Sequence, residues 1–167
     1  SVFFIIVLSF FGTAQELVYE LDFEDQTVGK EITKRNTLRF QGWNKSVWTV
    51  RQEEANKVAT STTQAKVFLI KSFDVIPGNR YRWTLETKVV NNGPAWKRTH
   101  VLTVVCGKGE ESQQLVKENI AESKNGAWIT SSLDFTVPQN KSEVTLHLFR
   151  FAEGTTVSVD NYKLVKL

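Results

Sequence analysis

The stretch TTVSVDNYKLVKL, residues 155–167, has the alternating pattern of a β-strand with one slip in its phase. Val157 and Val159 keep a two-residue period, as a strand buried on one face requires. Tyr162 and Leu164 keep the same period one residue out of phase, so the slip falls at residues 160–161. An extra residue in a strand is typical of a β-bulge, and bulges often lie beside functional sites. The pattern therefore predicts a bulged strand with an acid, Asp160, at the bulge.

Similar apolar runs recur along the chain, separated by turn residues, and they predict an all-β fold. The predicted strands cover residues 17–23, 47–51, 57–60, 66–75, 80–90, 100–106, 129–137, 144–151 and 156–165. In the first strand the odd-numbered positions from Leu17 to Phe23 are apolar and are predicted to face one side. Residues 111–122 fit either a strand followed by a loop or a short helix, and we favour the strand because its neighbours are strands.

The number and spacing of these strands predict a sandwich. About nine short strands in one domain are typical of two antiparallel sheets packed face to face. Because both ends of this region alternate, the first and last strands can lie close together.

The first 14 residues have the character of a targeting segment. An uncharged apolar run, residues 1–11, is followed by the small residues Gly12, Thr13 and Ala14. The run is too short for a bilayer span, so we interpret residues 1–14 as the remnant of a secretory signal peptide cleaved after Ala14. The alternative is a membrane anchor that stays attached. The signal peptide predicts a secreted, periplasmic or extracellular protein with one mature domain, residues 15–167.

Charge and cysteine content narrow the class of protein. Twenty-one basic and eighteen acidic residues give a net charge of +3 without a basic block, which argues against nucleic-acid binding. The single cysteine, Cys106, excludes an internal disulfide and lies in an apolar run, where a buried thiol is expected. We expect a monomer without stable membrane insertion.

Two stretches of the chain resemble a known family. They are FLIKSFDVIPGNRYRWTLETKV, residues 68–89, and AWITSSLDFTVP, residues 127–138, followed by VTLHLFRFAEGTTVSVDNYKL, residues 144–164. Together with LDFED at residues 21–25, they resemble the carbohydrate-binding modules appended to xylanases and glucanases. The resemblance implies a jelly-roll β-sandwich of galactose-binding-like topology that binds polysaccharide without catalysis.

The resemblance also implies a structural calcium ion that ties the first strand to the last. The matching carboxylates are Glu24 and Asp160, and the carbonyls of Asp22 and of Lys57 in the 56–57 loop are implied as further ligands. Calcium prefers six to eight such oxygens, and a bulge can direct a carbonyl toward it. The alternatives are that these acids are solvated, or that Asp160 supports a turn by local hydrogen bonding.

Aromatic residues are the first candidates for a sugar site. Sugars have flat C–H faces that stack on aromatic rings and hydroxyls that bond to polar side chains. Trp43 and Trp96 lie in polar or loop-like stretches and are candidates for stacking, with loop anchoring as the alternative. We interpret Trp48, Trp83 and Trp128 as packing residues.

A second set of candidates comes from the strand predicted at residues 80–90. If Trp83 and its apolar neighbours at alternate positions face the core, a polar set faces outward: Arg82, Thr84, Glu86 and Lys88. The resemblance implies glycan binding on such a face, and Arg150 can join the groove if it faces the same way. Arg82 and Lys88 suit carboxylate or sulfate groups of an acidic polysaccharide. The alternative is a solvated charged surface.

The sequence carries no recognisable catalytic motif. It has no Ser-His-Asp order, zinc-ligand spacing or phosphate loop, and only two histidines. We therefore predict a non-catalytic binding protein. Two alternatives stay open: a small polysaccharide lyase using Arg82, Lys88, His147 and Arg150, and a structural or adhesive domain that binds protein through an exposed apolar patch.

Overall fold

A computed structural model describes residues 15–29, 48–61, 67–91, 100–107, 111–120, 126–150 and 155–167. The side chains at 67–70, 91, 100, 119–120, 149–150 and 155 are excluded from that description. Regular structure in these ranges consists of strands, and no helix found there could cross a membrane.

The described residues form ten strands: β1 (Glu16–Leu21), β2 (Trp48–Glu53), β3 (Asn56–Ser61), β4 (Val67–Asp74), β5 (Arg80–Asn91), β6 (His100–Cys106), β7 (Gln113–Ile120), β8 (Trp128–Thr136), β9 (Glu143–Arg150) and β10 (Thr155–Lys166). The nine strands predicted from alternation are confirmed, with ends that differ by no more than two residues. β7 also confirms the strand interpretation within residues 111–122.

These strands form two antiparallel sheets. The larger has the order β2-β3-β10-β5-β8, with β1 also paired to β10, and the smaller has the order β4-β9-β6-β7. Apolar side chains of both sheets form one buried core that includes Trp83 and Leu164 from the larger sheet and Leu102 and Leu146 from the smaller. The predicted antiparallel jelly-roll sandwich is therefore confirmed.

The first and last strands pair with each other, as the sequence predicted. β1 runs antiparallel to β10, and Glu16 lies opposite Lys166 while Leu21 lies opposite Tyr162. Lys166 Nζ lies 2.6 Å from a carboxylate oxygen of Glu16 along the same pairing. Residues far apart in the sequence are thus held side by side at one edge.

The predicted bulge in β10 is present. Val157, Val159, Tyr162 and Leu164 are all buried, and the register against β5 shifts between Asp160 and Lys163. Asn161 lies at the shift with φ of 48°, in the left-handed region that asparagine tolerates better than most residues. The bulge therefore lets both halves of β10 place apolar side chains in the same core.

The predicted alternation of β1 is wrong at its start. Tyr19 and Leu21 pack against the core and Phe23 is buried, but Leu17 is 54% exposed. The register between β1 and β10 shifts between Leu17 and Tyr19, and such a shift changes the face to which preceding side chains point.

Two core tyrosines differ in how their hydroxyls are satisfied. Tyr81 Oη accepts a 2.9 Å hydrogen bond from the amide of Ile76. Tyr162 is fully buried beside Trp83, with ring centroids 5.7 Å apart, and its hydroxyl has no hydrogen-bond partner among the described residues. Burial also raises the pKa of Tyr162. Its hydroxyl thus loses water without gaining a bond, which costs stability.

We predict that Tyr162→Phe leaves the free energy of unfolding unchanged or raises it by about 1 kcal/mol, because an unpaired buried hydroxyl is removed. Tyr81→Phe is the matched control and should lower it by about 1 kcal/mol, because the Ile76 amide loses its acceptor. Urea unfolding followed by tryptophan fluorescence measures both. A larger loss for Tyr162→Phe than for Tyr81→Phe would contradict the assignment.

Candidate functional site

The outward face of β5 carries the polar set that the sequence predicted. Tyr81, Trp83 and Leu85 are buried, which confirms the predicted inner face. The intervening side chains, Arg82, Thr84, Glu86 and Lys88, are only partly buried and lie on the outer face of the larger sheet.

A cavity of about 560 Å³ lies on this outer face and is called the outer groove here. Its lining comes from the β2–β3 hairpin, β5, β8 and β10 and includes Glu53, Glu54, Asn56, Val58, Glu86, Lys88, Trp128 and Asp160. Since β10 and β5 lie between the hairpin and β8 in the sheet, the groove runs across the strands.

A hydrogen-bonded network holds one end of the groove in place. Lys88 forms an ion pair with Glu53. The other carboxylate oxygen of Glu53 accepts a 3.1 Å bond from Ser158 Oγ, which lies 3.0 Å from Thr60 Oγ1. Ser158 and Thr60 are buried although they lie on the outer face. The groove therefore has a fixed polar wall.

Glu86 is fixed in the middle of the groove. One of its carboxylate oxygens accepts a 2.9 Å bond from Asn161 Nδ2, and the other accepts a 3.2 Å bond from Thr130 Oγ1. Both donors are uncharged, so Glu86 is oriented without being neutralised.

Trp128 is the aromatic residue of the groove, and its interpretation as a packing residue is wrong. It lies directly opposite Lys88 in the β5–β8 register and is 39% exposed. Lys88 Nζ lies 5.4 Å from the centroid of its ring. The sequence contained the necessary signal, because Trp128 shares the parity of the polar positions Thr130 and Asp134 rather than that of buried Leu133.

Arg82 is engaged within the sheet. Its Nε and Nη2 donate to the two carboxylate oxygens of Asp134 at 2.6 and 2.9 Å, and Arg80 adds a 2.7 Å bond to the same carboxylate. The Arg82 hydrogen bond is the main cause of a lowered pKa for Asp134. Lys88 is likewise paired with Glu53. Both basic residues that were predicted to bind an acidic polysaccharide therefore already have a carboxylate partner within the protein.

Arg150 does not share a sheet with the other predicted ligand residues. It lies on β9 in the smaller sheet, whereas Arg82, Glu86 and Lys88 lie on β5 in the larger one. Arg150 thus lies in a different sheet from the groove residues; its side chain is outside the described residues, and its place in the groove stays a prediction. The same separation divides the four residues of the lyase alternative, since His147 is also on β9.

Trp43 and Trp96 lie outside the described residues.

The predicted metal ligands meet where β1 leads into the loop at residues 22–29. The amide of Lys57 donates to Glu24 Oε1 at 2.7 Å, and Lys57 Nζ donates to the Glu24 carbonyl at 2.6 Å. Asp22 Oδ1 accepts a 3.1 Å bond from the amide of Glu24. Because the N–H and C=O of one residue in an antiparallel strand point the same way, the Lys57 carbonyl is also directed to this edge.

Asp160 completes this carboxylate edge, which we define as Asp22, Glu24 and Asp160. Asp160 is only 5% exposed, and its Oδ1 accepts a 2.8 Å hydrogen bond from the backbone amide of Asn161. The pKa of Asp160 is raised to about 6, mainly by burial; the charges of Glu86, Glu24 and Asp22 add to the rise, and the hydrogen bond from the Asn161 amide opposes it. Glu24 and Asp160 thus lie near each other, as the sequence predicted.

The donor chemistry of the edge fits a hard cation that prefers oxygen. Within the described residues, no three His, Cys, Asp or Glu side chains form a group that could hold a metal ion on their own. A calcium ion here would therefore need carbonyl oxygens, such as that of Lys57, beside the carboxylates.

Comparison with solved structures identifies the same fold in carbohydrate-binding modules. A tandem of family 22 carbohydrate-binding modules from Paenibacillus barcinonensis has a TM-score of 0.63 at 13% identity, covering 95% of this chain and 51% of that one. A xylan-binding domain of family 22 has a TM-score of 0.62 at 11% identity, covering 90% and 95%. An endo-1,4-β-D-xylanase segment from Clostridium thermocellum, solved with xylohexaose, has a TM-score of 0.57 at 12% identity, covering 74% and 25%.

These likenesses confirm the jelly-roll fold that the resemblance implied. The chain spans about a quarter of the xylanase chain and about half of the tandem. No protein-family model matches the sequence, and no curated protein matches it.

The raised pKa of Asp160 gives a pH-dependent prediction. An acid whose pKa is higher in the folded state than its ordinary value near 3.9 binds more protons when folded, so its contribution to stability is lost as pH rises toward 6. In chelator, the free energy of unfolding of Asp160→Asn, relative to that of the wild type, should therefore rise by about 2 kcal/mol from pH 4 to pH 7. Urea unfolding at both pH values measures this gain, and a pH-independent difference between the two proteins would contradict it.

Proposed function

We propose that this chain is a secreted, monomeric and non-catalytic module that binds a polysaccharide in the outer groove and is stabilised by a calcium ion at the carboxylate edge. The observation that carries the proposal is the outer groove itself, with exposed Trp128 beside fixed polar side chains, in a fold shared with carbohydrate-binding modules.

The groove offers both kinds of contact that a sugar chain needs. The indole of Trp128 is an exposed flat surface for the C–H face of a pyranose ring. Next to it, the carboxylate oxygens of Glu53 and Glu86 accept hydrogen bonds from sugar hydroxyls, while Lys88 donates them. These side chains are held by the protein before a ligand arrives, which reduces the entropy cost of binding.

The volume and place of the groove suit one part of a longer chain. Its 560 Å³ falls in the range of about 300–1,000 Å³ for ligand sites. It runs across the strands on the sheet surface, so a bound sugar chain would lie across several strands. Xylan is the first probe, because the structural neighbours include a xylan-binding domain and a protein solved with xylohexaose.

The non-catalytic part of the proposal rests on how the polar residues are used. Arg82 is bound to Asp134, Lys88 is bound to Glu53, and the β9 residues of the lyase alternative lie on the other sheet. The described residues therefore do not bring that lyase set to one face.

The calcium part rests on the charge of the edge. The carboxylates of Asp22, Glu24 and Glu86 all raise the pKa of the Asp160 carboxyl, and the ammonium of Lys57 lies against the Glu24 carbonyl. A divalent cation would relieve the remaining repulsion and hold Asp160 in its charged form. Glu24, Asp22, Asp160 and the Lys57 carbonyl would be its protein ligands.

Secretion is proposed from the apolar run at residues 1–14, which lies outside the described residues.

We predict that Trp128→Ala weakens binding to soluble xylan or β-glucan about tenfold, because the stacking surface is lost. Trp128→Phe should lose less, since a smaller aromatic face remains. Affinity electrophoresis and calorimetric titration with oligosaccharides measure the change.

Substitution of Trp43 and Trp96 by Ala provides the comparison for this experiment, because the sequence predicted stacking at those positions. A larger loss in Trp43→Ala or Trp96→Ala than in Trp128→Ala would move the site away from the outer groove. Absence of retention of the wild type on every glycan would refute the binding function.

We predict that saturating calcium raises the melting temperature above its value in chelator by about 5–10 °C, since a ligand at 100 times its Kd adds about 2.7 kcal/mol to stability. Asp160→Asn should abolish the shift, because a buried carboxylate of the edge is lost. Glu20→Gln, which removes a carboxylate paired with Lys163, should keep it. Identical melting of the wild type with and without calcium would refute the metal site.

A further inference from the structure

The charge of the outer groove is opposite to that of the whole chain. The chain carries a net charge of +3. The groove, however, is lined by four carboxylates, those of Glu53, Glu54, Glu86 and Asp160, and by one ammonium, that of Lys88. A positively charged ligand would therefore be attracted by this groove and not by the protein as a whole.

The contacts show which of these charges remain for a ligand. Lys88 and Glu53 are paired, so they largely cancel. Glu86 has neutral donors, the side-chain amide of Asn161 and the hydroxyl of Thr130, which orient its carboxylate without pairing it with a cation. Glu54 is exposed at the turn of the β2–β3 hairpin. Glu86 and Glu54 therefore keep the groove negative even when an ion neutralises Asp160.

Glu86 lies within reach of a sugar stacked on Trp128. Lys88 is opposite Trp128 and Glu86 is opposite Thr130, so Glu86 and Trp128 are diagonal neighbours on one face of adjacent strands. Such neighbours lie about 7–8 Å apart, close to the span from a stacked ring to the substituent of the same or next sugar. A cationic substituent could thus meet the Glu86 carboxylate, and a cation near the indole face is also favourable.

We propose that the outer groove prefers polysaccharides that carry protonated amino groups, such as glucosamine polymers, over their acetylated or acidic counterparts. The ammonium beside the sugar stacked on Trp128 donates charge-assisted hydrogen bonds to Glu86, whereas an acetylated nitrogen is neutral and a uronate is repelled by the carboxylates. This preference rests on the proposed function and names the class of ligand for the same site.

The test uses two ligands that differ only in acetylation. Glucosamine hexamer and its fully N-acetylated form are titrated into the full-length mature protein near pH 6, where amines are largely protonated. We expect the free amine form to bind about tenfold more tightly, because hydrogen bonds between charged partners are the stronger ones. The advantage should shrink in high salt, as expected for a charge effect.

Variants assign the effect to the groove. Glu86→Gln should remove most of the advantage of the amine form, whereas Glu20→Gln, a loss of equal charge on β1, should preserve it. Melting curves check that both variants are folded.

The outcomes separate this inference from the proposed function. Equal affinity for the two hexamers, or tighter binding of the acetylated one, overturns the amine preference while glycan binding stands. An amine preference that survives in Glu86→Gln overturns the assigned site. Failure of both hexamers and of every neutral glycan to bind overturns the proposed function itself.

Discussion

The pairing of β10 with three partners is the constraint on which the rest of the structure depends. On one side β10 pairs with β5 along most of its length. On its other side residues 157–159 pair with β3, and residues 162–166 pair with β1. Two strands thus share one edge of β10 end to end, and the bulge at residues 160–161 lies at the point where one ends and the other begins. Both halves of β10 can reach the core only because the bulge restores their phase.

The junction between β1 and β3 explains why polar groups collect there. At the bulge, β10 does not continue its ladder with β3, and the Lys57 amide bonds to the Glu24 carboxylate instead. The Lys57 amide has no ladder partner on β10, and an acid at the end of β1 supplies an acceptor for it. Asp160 is turned into the same region and is desolvated there, which raises its pKa. The acids therefore have a structural role in closing the sheet, and the cation binding that we propose would follow from their crowding.

Local patterns in the sequence predicted the strands and the bulge, because each follows from alternation within one segment. The meeting of the first and last strands was predicted from the alternation at both ends and from the family resemblance. Neither source predicted the partners of individual side chains across strands. The binding of Arg82 to Asp134 depends on the register between β5 and β8, and the separation of Arg150 from Arg82 depends on which sheet takes up β9. The exposure of Leu17 depends on a shift in pairing that the β1 sequence alone does not show. Trp128 is different, because its parity in β8 indicates an outward side chain, although Trp128 was interpreted as a packing residue.

Asn161 connects the two regions to which we assign function. Its left-handed φ creates the bulge, its amide donates to Asp160 at the carboxylate edge, and its side chain donates to Glu86 in the outer groove. A change in the charge of Asp160 alters the bond from the Asn161 amide, and a shift of the bulge alters the bond to Glu86. The edge and the groove therefore share Asp160 and are also connected by Asn161, and coupling between a cation and a sugar chain would need no motion beyond this bulge. Such coupling would be reciprocal, so a glycan that orders Glu86 and Asn161 would strengthen cation binding by the factor by which the cation strengthens glycan binding.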